Sequence, residues 1–346
     1  MKTLLYCMLG LSVAACAPKK TENGTPEELS MIVGTYTNGT SKGIYTFRFN
    51  QETGIAKPLS SLELPNPSYL TPSEDGKFVY AVSEMNDSTA ALSALAFDKK
   101  TGNLRLLNAQ PTLGADPCYV ATNGREVLTA NYSGGNMSVF PLLKDGTLDP
   151  VDTLYAGSAT GPDLIRQRTP HIHCTLFSPD GKYIFATDFS ADQILRFVLH
   201  PKDVAPHLSS TTIEVEANSG PRHLTFSPNG RNAYLISELS GKVTAFSYDD
   251  GNLKQIQSIA ADTVAARGSA DIHLSPDGKY LYASNRLQED GIAIFAVHPE
   301  NGTLTKVGYQ LTGIHPRNFN MTPNGKYLLA ACRDSNVIEV YERDEI

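Results

Sequence analysis

The hexapeptide Ser178-Pro179-Asp180-Gly181-Lys182-Tyr183 occurs a second time, letter for letter, from Ser275 to Tyr280. Degenerate copies stand at Ser73-Glu74-Asp75-Gly76-Lys77-Phe78, Ser227-Pro228-Asn229-Gly230-Arg231-Asn232 and Thr322-Pro323-Asn324-Gly325-Lys326-Tyr327, with a worn one at Asn123-Gly124-Arg125. The turn glycines fall at 76, 124, 181, 230, 278 and 325, in steps of 48, 57, 49, 48 and 47 residues. A period near 50 requires one supersecondary unit repeated along the chain, and it excludes most other architectures.

The unit around Gly230 shows what is repeated. Arg222-His223-Leu224-Thr225-Phe226 is a short alternating run, turned by Pro228-Asn229-Gly230. Asn-Gly and Asp-Gly favour hairpins because both residue types tolerate positive φ. Ala233 to Ser237 and Val243 to Ser247 read as second and third strands, and after Asp250-Gly251-Asn252 a fourth begins at Leu253. Four short antiparallel strands per period make a propeller blade. The third strand recurs at 44–49, 92–97, 137–140, 194–198, 243–247, 292–297 and 337–341. The expected fold is therefore all-β, a seven-bladed propeller of four-stranded antiparallel blades. No long apolar run with a helical period lies beyond the N-terminus, so helix should be scarce. First and fourth strands number only six each. The N-terminal blade lacks its first strand and the last repeat lacks its fourth, so the C-terminal closing strands are expected to be missing.

A propeller is one cooperative ring, so residues 30–346 are read as a single domain. The net charge of −7 argues against a nucleic-acid partner, which would want a basic face. Met1-Lys2-Thr3 followed by an apolar run to Ala15 is too short to span a bilayer and reads as an export signal over 1–15. Val13-Ala14-Ala15-Cys16 has the pattern of a lipoprotein cleavage site. Acylation of Cys16 would tether a flexible stalk, 16–29, to a membrane. The expected localisation is that of an exported bacterial lipoprotein, periplasmic or anchored in the outer membrane. Cys118, Cys174 and Cys332 lie in separate blades and offer neither a disulfide framework nor zinc-ligand spacing. They read as small buried hydrophobes, and no metal or other cofactor is expected.

Repeat alignment also maps the faces of the disc. Residues just before each first strand and just after each second strand line one mouth. Five residues before the Ser/Thr of each turn stand Ser68, Asp116, His173, Arg222, Ala270 and Arg317; eight after each turn glycine stand Glu84, Tyr132, Phe189, Glu238, Arg286 and Arg333. Arginine is almost never buried unpaired, so this set is unlike a core. His173 beside a carboxylate is a natural acid/base pair near neutral pH. Arg222 and Arg286 suit an anionic substrate and a developing oxyanion. His171 is a further candidate, as a supporting or rim histidine.

At these residues the chain resembles the bacterial seven-bladed lactonases, which include cycloisomerase-type 6-phosphogluconolactonases and the related carboxymuconate lactonizing enzyme. The resemblance rests on Pro170-His171-Ile172-His173, Gly220-Pro221-Arg222-His223 with Ser237-Glu238-Leu239, Ala270-Asp271-Ile272-His273 with Ala283-Ser284-Asn285-Arg286, and His315-Pro316-Arg317. It implies a catalytic set of His173, Arg222, Glu238 and Arg286, with His171, Arg317, Arg333 and Glu84 around the substrate. It also implies a metal-free reaction on a small anionic lactone. Relatives continue past the last third strand, where this chain stops, and 6-phosphogluconolactone is a cytoplasmic metabolite whereas this chain opens on an export leader. Lactone hydrolysis is the leading expectation, with His173 or Glu238 as base. Lactonisation of a muconate-type dicarboxylate, or non-catalytic binding of a sugar acid or protein by a surface propeller, are the alternatives.

Overall fold

The computed structural model of the chain describes residues 28–157, 160–199 and 210–344 in full, and the backbone alone of 3–5 and 12–15. Its strands form seven four-stranded antiparallel sheets, and no helix occurs among the described residues. In the fifth blade Pro221–Phe226, Asn232–Ser237, Lys242–Asp249 and Asn252–Ala260 follow one another across the sheet in chain order. First strands of neighbouring blades lie against one another around the central axis. Each third-strand run read from the sequence falls inside an observed third strand, from Gly43–Asn50 to Val337–Glu342.

The repeated turn works as a hydrogen-bonded clip. Ser178 Oγ donates to Asp180 Oδ1 (2.5 Å) and accepts from the Tyr183 N–H (3.0 Å). Gly181, at φ 69°, donates its N–H to the Ser178 carbonyl (3.0 Å). That left-handed conformation suits glycine because a side chain there meets the following carbonyl. The same side-chain bonds recur at Ser227–Asn229–Asn232, Ser275–Asp277–Tyr280 and Thr322–Asn324–Tyr327.

Burial is divided among seven apolar clusters, one at each seam between blades. At the fifth seam Tyr234, Ile236 and Ala245 meet Ile272, Leu281 and Phe295. The ring closes in the same way. Leu29, Met31 and Phe49 of the first blade pack on Tyr327, Leu329 and Val340 of the last. Asn324 and Lys326 reinforce that seam by donating to the Gln51 and Glu52 carbonyls (3.0 and 2.6 Å).

The last blade has three strands from its own repeat, Pro316–Met321, Tyr327–Cys332 and Val337–Glu342, in keeping with the expected lack of C-terminal closing strands. Two further pairings come from the N-terminal end. Ser12–Ala15 lies along Glu28–Gly34, and Thr3–Leu5 along Val337–Glu342. Both segments lie within the expected leader, and they occupy the first-strand place of blade one and the fourth-strand place of blade seven, which the repeat pattern leaves empty. Cys16 and the stalk as far as residue 27 lie outside the described residues.

Candidate active site

The first strands of blades three to seven share one irregularity. Register against the second strand slips between Pro117 and Tyr119, Ile172 and Cys174, Pro221 and His223, Ser269 and Ile272, and Pro316 and Asn318. Each slip is a β-bulge, and an extra residue bends the strand and re-aims its side chain. The bulged residues are Cys118, His173, Arg222, the pair Ala270–Asp271, and Arg317. In blades three, four and seven the bulge turns Cys118, His173 and Arg317 toward the mouth of the channel, and in blade five it sets Arg222 against Glu238.

At that mouth lies a cavity of about 640 Å³. Glu238 is its organising charge. Arg166 Nη2 donates to Oε1 (2.6 Å), while Oε2 receives Arg222 Nε (2.9 Å) and lies 3.1 Å from Arg286 Nη2. Burial alone would raise the carboxyl pKa, but Arg286, Arg222 and Arg166 hold it down to about 2. Both oxygens are occupied. Arg222, only 1 % exposed, also donates from Nη1 to the Ala270 carbonyl (2.7 Å). Its Nη2 has no hydrogen-bond partner among the described residues.

A second carboxylate faces it from blade two. Glu84 Oε2 accepts from Tyr36 Oη (2.8 Å) and from Ser68 Oγ, and Oε1 stands 3.8 Å from Arg317 Nη2. Arg317 also lies over the Tyr36 ring at 5.7 Å. Arg333 lines the cavity but is engaged by its neighbour Asp334, Nε to Oδ1 at 2.6 Å and Nη2 to Oδ2 at 3.1 Å. Five guanidiniums, Arg166, Arg222, Arg286, Arg317 and Arg333, therefore surround three carboxylates, Glu84, Glu238 and Asp334. The excess is positive and suits an anion.

His173, 4 % exposed, lines the cavity with Nδ1 3.7 Å from Cys118 Sγ. No protein group among the described residues hydrogen-bonds its Nε2. Burial, then Arg222, His223 and Arg317, lowers its pKa well below the usual histidine range, so the ring is neutral at pH 7. His171 does not line the cavity. Its Nδ1–H donates to the Tyr132 carbonyl (2.8 Å) and its ring stacks on Tyr132 at 4.1 Å. The structure thus brings His173, Glu238, Arg286, Arg317, Arg333 and Glu84 to one cavity wall, sets Arg222 behind that wall against Glu238, and leaves His171 at the rim beside Tyr132.

Seven cavity residues lie outside the aligned positions, and two of them, Cys118 and Arg166, show why. Counting back from Gly124 selects Asp116, whereas the bulge belongs to Cys118. The third blade's turn spans 123–126 between the paired Thr122 and Val127, against 178–183 between Phe177 and Ile184 in the fourth, and the frame slips by two. Asp116 instead accepts hydrogen bonds from Asn86 and Ser133. Cys118, Cys174 and Cys332 are all buried free thiols, as read, but Cys118 also forms cavity wall. Arg166 sits outside every repeat, in the segment that makes the step from Gly124 to Gly181 57 residues long. That one overlong step was the available signal. The segment is pinned by Gln167 Nε2, which donates to the Phe189 carbonyl (2.9 Å) and Asp192 Oδ1 (2.8 Å).

An arginine-rich, histidine-bearing mouth on a seven-bladed ring has the chemistry to attract an anion and to accept a proton beside it. The chain belongs to the family described as lactonase, 7-bladed beta-propeller, whose model matches residues 30–346. It is 38 % identical over 328 residues to the 6-phosphogluconolactonase of Formosa agariphila, covering 91 % of this chain and 92 % of that one. A solved Bacteroides uniformis protein, provisionally named a 6-phosphogluconolactonase, matches with 82 % identity and a TM-score of 0.91 over 92 % of this chain and 93 % of its own. The solved periplasmic gluconolactonase of Pseudomonas aeruginosa matches with 34 % identity and a TM-score of 0.85, covering 91 % and 92 %.

Proposed function

We propose that the protein hydrolyses a sugar-derived lactone, with His173 as general base and Arg222 as the donor to the oxyanion. One observation carries the assignment of the base. His173 lines the cavity and its Nε2 has no hydrogen-bond partner among the described residues, whereas both oxygens of Glu238 are held by guanidiniums. Nε2 takes a proton from water as the water oxygen bonds to the lactone carbonyl carbon, and the carbonyl electron pair moves onto oxygen. Collapse restores the C=O and breaks the ring C–O bond, and the leaving oxygen takes the proton back from His173. The product is an open-chain hydroxy acid.

A neutral, deeply shielded histidine is a weak base in the empty site. Its protonation beside Arg222 and Arg317 is opposed until negative charge develops on the substrate, and that charge then offsets the new imidazolium. Glu238 acts as the anchor that assembles three arginines. Arg317, whose approach to Glu84 is a loose 3.8 Å, is the available guanidinium for a phosphate or carboxylate on the substrate. A panel of gluconolactones, phosphorylated and not, tested on the purified protein and on His173→Ala, examines this reading. Wild-type turnover in the variant removes it.

We further propose export, with a lipid on Cys16. Glu28 opens its strand at the end of the disc that carries the Pro-Asn-Gly turns, while Tyr36, just beyond the other end of that strand, lines the cavity. An anchor joined there leaves the mouth facing away from the membrane, and the relative named as periplasmic is consistent with a substrate outside the cytoplasm. Cleavage before Cys16 would remove Thr3–Leu5 and Ser12–Ala15 from the ring. The mass of the N-terminal peptide from membrane-extracted protein decides between acylated Cys16 and an intact Met1.

A further inference from the structure

We propose that Arg222, the most deeply buried arginine of the site, is aimed by a neutral histidine, His223, whose tautomer Asp271 sets. Neither His223 nor Asp271 is among the groups assigned above to the chemistry, and each acts as a positioning residue.

The arrangement is fixed by donor and acceptor roles. His223 Nδ1 lies 2.8 Å from Asp271 Oδ1, and a carboxylate only accepts, so Nδ1 carries the proton. In a neutral ring Nε2 is then an acceptor, and Arg222 Nη1, which only donates, stands 3.2 Å from it. Asp271 is itself held by His273 Nε2 (3.0 Å), the Phe319 N–H (3.1 Å) and Asn318 Nδ2 (2.5 Å). Burial pushes its pKa up, but His273 and His223 hold it well below the usual carboxylate range. Burial and Arg222 pull His223 down to about 4, so the ring stays neutral at pH 7 despite Asp271.

One blade further on, His315 meets Arg286 without a tautomer fixed in this way. Its Nε2 lies 3.1 Å from Arg286 Nη1 and its Nδ1 3.2 Å from Arg333 Nη2, both donors, while Asp334 Oδ2 stands 3.2 Å from Nδ1 as an ion-pair partner without a hydrogen bond. Burial, Arg286 and Arg333 lower the His315 pKa to about 3.

The physical advantage lies in charge. A carboxylate in place of the His223 imidazole would orient the guanidinium but oppose its field further. A neutral acceptor fixes the plane of the group and leaves its positive charge for the substrate. Aspartate behind histidine sets the ring's protonation, which second-sphere carboxylates do for histidines at metal centres as well.

The inference rests on the proposed lactone hydrolysis only in its kinetic arm. The structural arm is ¹⁵N NMR of histidine-labelled wild-type protein at pH 7, with His223 identified from the spectrum of His223→Gln. Its ring should be neutral and protonated at Nδ1. An Nε2–H tautomer or an imidazolium at His223 overturns the proposal, whatever the protein hydrolyses. In the kinetic arm, His223→Gln keeps an amide oxygen toward Arg222 and an N–H toward Asp271, whereas His223→Met keeps neither. The methionine variant should lose about 100-fold in kcat with KM within about threefold, and glutamine should recover to within about tenfold of wild type. Equal losses in the two variants, at unchanged thermal midpoints, overturn the positioning role.

Discussion

The two ends of the central channel are made by the same strands under different rules. At the turn end, Ser227, Ser275 and Thr322 repeat the hydrogen bonds of Ser178 with almost no variation. At the cavity end, the equivalent bulged positions carry a thiol, an imidazole, guanidiniums and the pair Ala270–Asp271. Turns recur because every blade faces one geometric task, that of reversing the chain beside an identical neighbour. The mouth diverges because its residues meet across the axis, where each has different partners. Identity between repeats maintains the ring, and departures from identity build the chemistry.

Changes at the mouth should cost activity or charge balance, and changes at the turns should cost only stability. The largest effect is expected at Glu238. Glu238→Gln leaves two buried guanidiniums, Arg222 and Arg286, and the half-buried Arg166 without their counter-charge and should destabilise the protein by about 3–5 kcal/mol, read from urea midpoints. An unchanged midpoint would mean that the arginines are held by something else. Next, His173→Ala should lower kcat by about 10³-fold in a folded protein.

Acid should also discriminate between the two ends. The folded pKa of Glu238, about 2, lies below its ordinary value of 4.5. Its contribution is therefore complete above pH 4.5 and is lost as pH falls through about 2. Between pH 5 and 2 the wild-type urea midpoint should fall more steeply than that of Glu238→Gln. Gly181→Ala meets no neighbouring atom but forces alanine to φ 69°, and should cost about 1–2 kcal/mol with kcat/KM unchanged. The smallest effect belongs to His171→Phe, which keeps the stack on Tyr132 and should alter activity by less than about twofold, about 0.5 kcal/mol. A large loss there would extend the working site to the rim.

Most of the fold was legible because the turn clip is local. Serine, proline, aspartate and glycine at consecutive positions specify a reversal wherever they occur, and their spacing counts the blades. The site was legible only where the ruler kept its frame. His173, Arg222, Glu238 and Arg286 follow from it, whereas Cys118 was hidden by a turn two residues shorter. Arg166 was hidden because it lies in an insertion with no counterpart in other repeats. His223 and His315 stood in the quoted stretches, but nothing in a linear pattern says which nitrogen meets which guanidinium.

By itself the sequence determined the number of blades, the direction of each strand and the end of the disc where polar residues gather. These depend on residues within one period of each other. Tertiary structure alone decided which charges neutralise one another. Arg166 is 72 positions from Glu238 and His223 is 48 from Asp271, so those contacts exist only once the blades are packed around a common axis. Packing into the ring also removes water from Glu238 and His173: that desolvation keeps the histidine neutral, whereas Arg286, Arg222 and Arg166 overcome it at the carboxylate and keep Glu238 ionised.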